Sequence, residues 1–281
     1  MNKKCGIISI VGRSNVGKST LFNAIIGKKI SIISKKINTT RSKILGIKTN
    51  KNTQMIFIDT PGIISNKSKD LNDFIKKQIK ASLEISQIIL FMVEALKFTK
   101  EDKKILFIIK NLDYPIVLVV NKIDLLKNNV NLILPFIKKV SSEFNFQAIV
   151  PLIAIKKKMI LNIENILENL IPENDFLFEK NKITDKNKIF FIKEIIREKI
   201  IKIYDKEIPY NIFIELEKIR KKNDTTYIDI ILYVNNIYKK KIIIGNNGNK
   251  IKLLLNLCSC SIEKYLKTKI NLNLFIKIKN I

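Results

Sequence analysis

Gly12-Arg13-Ser14-Asn15-Val16-Gly17-Lys18-Ser19 decides how the first half of this chain is built. The stretch fits the pattern G-x-x-x-x-G-K-[ST]. Before it lies an apolar run, Gly6 to Val11, that reads as a buried strand; after it, Thr20 to Ile26 is apolar at helical spacing. Strand, glycine turn and helix in that order make a phosphate-binding loop. Gly12 and Gly17 let backbone N–H groups turn toward phosphate without a Cβ in the way, and the helix N-terminus adds its dipole. Lys18 is then placed between the terminal phosphates of a nucleotide, and the Ser19 hydroxyl on a Mg²⁺ ion.

Two further apolar strands end in loops of matching chemistry. Met55 to Ile58 runs into Asp59-Thr60-Pro61-Gly62, which would deliver the Asp59 carboxylate to the metal's outer shell and the Gly62 N–H to the γ-phosphate. Ile116 to Val120 runs into Asn121-Lys122-Ile123-Asp124. The Asp124 carboxylate can accept two hydrogen bonds from the guanine N1–H and N2–H₂ edge, which adenine cannot supply. Asn121 would tie this loop to the phosphate loop, and the stem of Lys122 would cover the base. Between the first two loops, Thr40 or Thr39 is the candidate to complete the metal shell. Together these stretches specify GTP and GDP, with Mg²⁺.

Composition bounds the rest. At 281 residues and 46% apolar content the chain can build two cores. Cys5, Cys258 and Cys260 give no disulfide framework, and with no histidine there is no Cys/His zinc cluster, so a reducing cytoplasm is the expected compartment. No apolar run approaches a membrane span, and no targeting segment is read. The net charge of +27 partly reflects a lysine-rich, arginine-poor composition, since only four of 52 basic residues are Arg. Its distribution is more telling: from Tyr238 to Ile281 ten Lys face one acid, Glu263.

Strands and helices alternate from Gly6 to about Leu170, which predicts an α/β nucleotide-binding domain, a P-loop GTPase fold with a mostly parallel sheet, over residues 1–172. The elements expected include helices over 70–82 and 100–111. A polar stretch, 173–187, reads as a linker. Residues 188–281 read as an α+β domain: a helix from Phe190, strands Asn211 to Ile219 and Tyr227 to Val234, and a third strand Lys241 to Ile244. Gly245-Asn246-Asn247-Gly248 then opens a helix to about Leu255, followed by a second helix, Ile262 to Thr268, and a last strand from Leu272. A Gly-x-x-Gly flanked by Lys is the loop with which a KH module clamps nucleic-acid backbone, with Lys250 and Lys252 to neutralise phosphates. The aromatic side chains Phe176, Phe178, Tyr233 and Tyr238 read as packing.

The whole chain resembles the Era family of GTPases, a G domain followed by a KH domain of type II. The resemblance rests on Ile10 through Thr20, Thr39-Thr40-Arg41, Asp59-Thr60-Pro61-Gly62, Glu194-Ile195-Ile196-Arg197-Glu198-Lys199, Pro209-Tyr210 and Ile244 through Gly248. It implies a factor for small ribosomal subunit maturation that binds the 3′ region of small-subunit ribosomal RNA, with peripheral membrane association as a further family trait. Three departures bear on activity. Ile153-Ala154-Ile155 stands where the family has a Ser-Ala pair, so a hydroxyl near the base is lost and the Ala154 backbone N–H remains for the guanine O6. Ser14 stands where Pro is usual. Many relatives continue into another helix where this sequence stops at Ile281, so part of the usual RNA contact is expected to be missing.

The expected mechanism is positioning and electrostatics by Lys18, Thr40 and Gly62. Ile63 stands where a water-orienting Gln would follow the Asp-Thr-Pro-Gly loop, which predicts slow intrinsic hydrolysis. Asn15 is a candidate ligand for a K⁺ ion that would supply the missing charge. The competing reading is an RNA-binding assembly scaffold with weak or no GTP turnover.

Overall fold

In the computed structural model, residues 2–33, 44–60, 80–127, 129–205 and 208–279 are described. The chain divides into two units, Met1–Asp185 and Lys186–Ile281.

The first unit alternates strand and helix. In chain order it comprises β1 (Lys4–Val11), α1 (Lys18–Ile26), β2 (Ile44–Asn50), β3 (Thr53–Asp59), β4 (Ile88–Glu94), α2 (Lys100–Ile109), β5 (Ile116–Asn121), α3 (Ile133–Ser141), β6 (Ala148–Leu152) and α4 (Lys157–Leu170). The strands lie in the order β2-β3-β1-β4-β5-β6. All neighbours are parallel except β2 and β3. β4 and β5 are buried at every position, which is why they read as unbroken apolar runs rather than alternating ones. Because the parallel strands run one way, their carboxyl ends at Val11, Asp59, Glu94 and Asn121 share one edge of the sheet, the place where such folds bind ligands. Of the helix expected over 70–82, only the part from Lys80 lies within the described residues.

The stretch 173–187, read as a linker, is fastened to this unit as far as Asp185. Buried Gln54 accepts from the Phe178 N–H at 2.9 Å and donates to its carbonyl at 2.8 Å. The Ile47 N–H donates to the Ile183 carbonyl at 2.7 Å, and the Leu45 N–H to Asp185 Oδ1 at 3.2 Å. A polar segment without apolar periodicity thus covers the β2 edge, whose backbone would otherwise face solvent unpaired.

The second unit contains α5 (Lys188–Ile203), β7 (Phe213–Lys222), β8 (Thr225–Val234), α6 (Ile237–Ile244), α7 (Asn249–Leu266) and β9 (Lys269–Ile278). Its sheet has the order β7-β8-β9, with β7 antiparallel and β9 parallel to β8. Ile196 and Ile200 of α5, Ile228, Ile230 and Leu232 of β8, and Leu254, Cys258 and Ile262 of α7 form its core.

Two expectations are corrected here. Lys241 to Ile244 is not a strand but the end of helix α6. The β-branched run Ile242-Ile243-Ile244 favours extended backbone locally, but Asn236 caps the helix by accepting from the Lys239 N–H, and only Ile243 is buried, in helical register with the core. The helices expected to end near Leu255 and restart at Ile262 are one helix, α7. Weak helix formers in Cys258 to Ser261 suggested the break, yet Leu254, Cys258 and Ile262 bury one stripe at a spacing of four and carry the helix through.

Candidate functional site

The phosphate loop leaves β1 at Val11 and is locked by two glycines. A Cβ on Gly12 would lie 2.4 Å from the Met92 carbonyl oxygen. One on Gly17, whose φ is +108°, would lie 2.3 Å from Asn121 Nδ2. Asn15 also takes a left-handed φ of 65°, which Asn tolerates better than most side chains. Gly17 caps α1 without any side-chain hydrogen bond, so the amide end of α1 faces the loop.

The Lys18 ammonium, 6% exposed, donates to the carbonyls of Gly12 at 3.0 Å and Arg13 at 2.9 Å. Burial lowers its pKa to about 8; Asp59 opposes that shift and Arg13 adds to it. Fully buried Asp59 accepts at Oδ2 from the Ser19 hydroxyl at 2.8 Å and from the Ser31 hydroxyl at 2.6 Å. A hydroxyl and a carboxylate in contact at a helix N-terminus form the hard oxygen pair that suits Mg²⁺ on a phosphate. The Thr60 hydroxyl is turned inward, donating to the Ile10 carbonyl at 2.7 Å, so its side chain pins β3 to β1. Pro61, Gly62, Ile63, Thr39, Thr40 and Arg41 lie outside the described residues.

The guanine loop is built at the end of β5. Asn121 Nδ2 donates to the Val16 carbonyl at 2.7 Å, joining this loop to the phosphate loop as the sequence led us to expect. Its Oδ1 accepts from the Ala154 N–H at 3.1 Å. The Ala154 N–H expected for the guanine O6 is therefore already bonded within the protein. Asp124 is exposed in the short 3-10 turn Ile123–Leu126, and Lys122 enters the turn with a φ of 64°. Ile153 is buried, whereas Ile155 is 78% exposed next to this loop.

In the second unit the Gly-x-x-Gly loop joins α6 to α7. Gly245, Asn247 and Gly248 have φ of 72°, 51° and 75°. Asn246 and Asn247 project into solvent, and Gly248 caps α7 with no side-chain hydrogen bond. Lys250 and Lys252, both exposed, lie in the first turn of α7. A cleft of about 490 Å³ runs along the loop, lined by Lys241, Ile242, Gly245, Asn246, Asn249 and Lys250. Beside it a cleft of about 520 Å³ is lined in part by Tyr238, Lys239 and Lys250. Tyr238 is 74% exposed, which corrects its reading as packing: its ring is presented to solvent at the cleft. Two glycines at positive φ, a helix N-terminus without a side-chain cap and converging lysines can follow a phosphate backbone.

Residues 7–122 match a family described as a 50S ribosome-binding GTPase, and residues 207–280 match the KH domain. GTPase Era of Buchnera aphidicola subsp. Acyrthosiphon pisum is 40% identical over 279 residues, 99% of this chain and 98% of the relative. The chain belongs to the Era family of GTPases. GTPase Era of Coxiella burnetii is 37% identical over 276 residues, 98% of this chain and 93% of the relative. Among solved structures, Era in complex with MgGDPNP and nucleotides 1506–1542 of 16S ribosomal RNA matches with a TM-score of 0.90 at 34% identity, covering 99% of this chain and 94% of that one. Aquifex aeolicus Era bound to GDP and aluminium fluoride matches with a TM-score of 0.89, also at 34% identity.

Several Era-site residues carry no motif signature. Ser31 shares the Asp59 carboxylate, and Asn23 holds Ser31 in place: its Oδ1 accepts from the N–H groups of Ile30 at 2.8 Å and Ser31 at 2.9 Å. The available signal was a polar residue on the buried face of α1. Glu94, at the end of β4, is 6% exposed and accepts from Lys122 at 2.7 Å and Lys97 at 2.5 Å. Burial alone would raise its carboxyl, but the two ammonium groups outweigh it and hold it below the ordinary value. Asp102, fully buried, forms a capping box with Thr99; burial raises its carboxyl against the Thr99 hydrogen bonds and Arg13.

Proposed function

We propose that this chain is a GTP-binding and GTP-hydrolysing switch that binds the 3′ region of small-subunit ribosomal RNA through its KH unit and assists maturation of the small ribosomal subunit. One observation carries the reading: over 99% of its length the chain matches an Era solved with both MgGDPNP and a 16S ribosomal RNA segment. The uncapped N-terminus of α1 behind Gly17 and the positive φ angles of the Gly-x-x-Gly loop support the reading.

In this reading the amides from Gly12 through Thr20 cradle the phosphates, and Lys18 leaves its loop carbonyls for the terminal phosphates. Ser19, Asp59 and Thr40 serve the Mg²⁺ ion, which when bound neutralises charge on the phosphate oxygens. Asp124 reads the guanine edge, while Asn121 and Lys122 hold the loop and cover the base. A base seated on Asp124 covers this otherwise exposed carboxylate, and adenine would leave the covered acceptor unpaired, so ATP is rejected strongly. Asn15 is the K⁺ ligand of the proposal; equal GTPase rates in Na⁺ and K⁺ buffers would remove it. Gly245 to Gly248, Lys250 and Lys252 follow the RNA backbone. Peripheral membrane contact, implied by the family resemblance, would rest on surface lysines, since no helix among the described residues is long and apolar enough to cross a membrane.

A second reading, an RNA-binding scaffold with little turnover, is favoured by one observation: the Ala154 amide is bonded to Asn121 where the base would need it. Competition binding tests the main reading. Labelled GDP should be displaced by GTP but not by a hundredfold excess of ATP, and the 1506–1542 RNA segment should bind. Displacement by equimolar ATP, or absence of RNA binding, overturns it.

A further inference from the structure

Asn121 is one tie between the phosphate loop and the guanine loop; the charged side chains beside it form a second. Glu94 pairs with Asn121 across β4 and β5, which sets its side chain beside Lys122. Its Oε2 accepts from Lys122 Nζ at 2.7 Å and lies 3.7 Å from Arg13 Nη2. Arg13 follows the first glycine of the phosphate loop, and Lys122 follows Asn121 of the guanine loop. The other side of the Arg13 guanidinium faces Asp102, with Nε 3.3 Å from Oδ2. Asp102 is itself held by the Thr99 N–H and hydroxyl, each 2.8 Å away.

An exposed ion pair between these groups would mean little. Here Glu94 is 6% and Asp102 0% exposed, and buried carboxylates are retained only with partners. Among the described residues, two of the three cations on Glu94 belong to nucleotide-binding loops. The third, Lys97, has a side chain 62% exposed and reaches in from the turn after β4.

We infer that Glu94 is a positioning residue that holds Arg13 and Lys122 on one carboxylate, so that the phosphate loop and the guanine loop bind nucleotide as a unit, with Asp102 fixing the far side of Arg13. The inference rests on the guanine-nucleotide reading of the site. Without Glu94, Lys122 loses the anchor that keeps its stem over the base, and Arg13 loses the carboxylate it shares with Lys122.

A double-mutant cycle on GDP affinity tests it. Glu94→Gln and Lys122→Ala should each weaken GDP binding about 10-fold, and the double variant should be no weaker than the worse single one. Lys97→Ala, which removes an exposed partner of the same carboxylate, should change affinity less than twofold. Full additivity in the cycle, or a Glu94→Gln protein that binds GDP within twofold of the original, overturns the inference. Should Glu94→Gln fail to fold, the cycle between Arg13→Ala and Lys122→Ala replaces it, with non-additivity again expected and additivity again fatal. If the unaltered protein binds no guanine nucleotide, the reading of the site fails, and with it the inference.

Discussion

Gly12 and Gly17 in the first unit and Gly245 and Gly248 in the second do the same local job in opposite surroundings. A Cβ at Gly12 or Gly17 would meet the Met92 carbonyl or the Asn121 amide within 2.4 Å. At Gly245 it would meet only the flexible Lys250 side chain at 2.8 Å, and at Gly248 nothing nearer than 4.0 Å. The phosphate loop is therefore specified by its neighbours in the fold, whereas the Gly-x-x-Gly loop is specified mainly by its own backbone angles. A loop fixed by the interior transmits damage to the fold; a loop fixed by φ alone transmits it only to its ligand.

Gly17→Ala against Gly248→Ala is the largest test of that contrast. Gly17→Ala adds a left-handed side chain and a clash with the Asn121 bridge, so we expect roughly 3 kcal/mol of lost stability and loss of nucleotide binding. Gly248→Ala meets no close atom and should cost about 1 kcal/mol, leaving the fold intact. Thermal unfolding of both variants checks this, and equal losses would erase the distinction.

Next in size is Asp124→Asn, which turns one acceptor toward the guanine edge into a donor. GDP affinity should fall on the order of 10³-fold, measured by fluorescent nucleotide titration, with unfolding unchanged because Asp124 is exposed. On the other unit, Lys250→Ala with Lys252→Ala should leave both fold and nucleotide affinity alone. It should weaken RNA binding about 10-fold and reduce the slope of log K against log salt by about 1.4.

The smallest effect concerns protons. Lys18 has a pKa of about 8 in the fold against 10.5 for the free side chain. The folded protein therefore releases this proton first, and Lys18 makes stability rise with pH between those two values. Phosphate beside Lys18 restores the charged form, so GDP binding should take up a proton above pH 8 and weaken as pH rises further. Calorimetry in two buffers of different ionisation enthalpy reads that uptake, and its absence in Lys18→Ala would assign it.

Much of the first unit was legible because its strands are buried on both faces and end in loops whose chemistry is local in sequence. Ser19 reaches Asp59, and Asn121 reaches the Val16 carbonyl of the phosphate loop, across 40 and 105 residues of chain. The junctions at Glu94 and Ser31 were not legible, since their partners Lys122 and Asp59 each lie 28 residues away and no spacing marks a carboxylate at a strand end as a junction. The bond from the Ala154 amide to Asn121 was not legible either, because a backbone N–H gives no sequence sign of its partner. In the second unit Ile242-Ile243-Ile244 misled toward a strand, because local β-branched preference was outweighed by the Asn236 cap and the burial of Ile243. Tyr238 reads as packing from the sequence because an aromatic residue carries no mark there of its exposure.

The most direct measurement is GTP turnover by the purified protein in K⁺ buffer with Mg²⁺, with and without RNA spanning nucleotides 1506–1542 of 16S ribosomal RNA. Slow turnover alone and severalfold stimulation by the RNA are expected. Tight RNA binding with no turnover in either condition would contradict it and leave an RNA-binding scaffold.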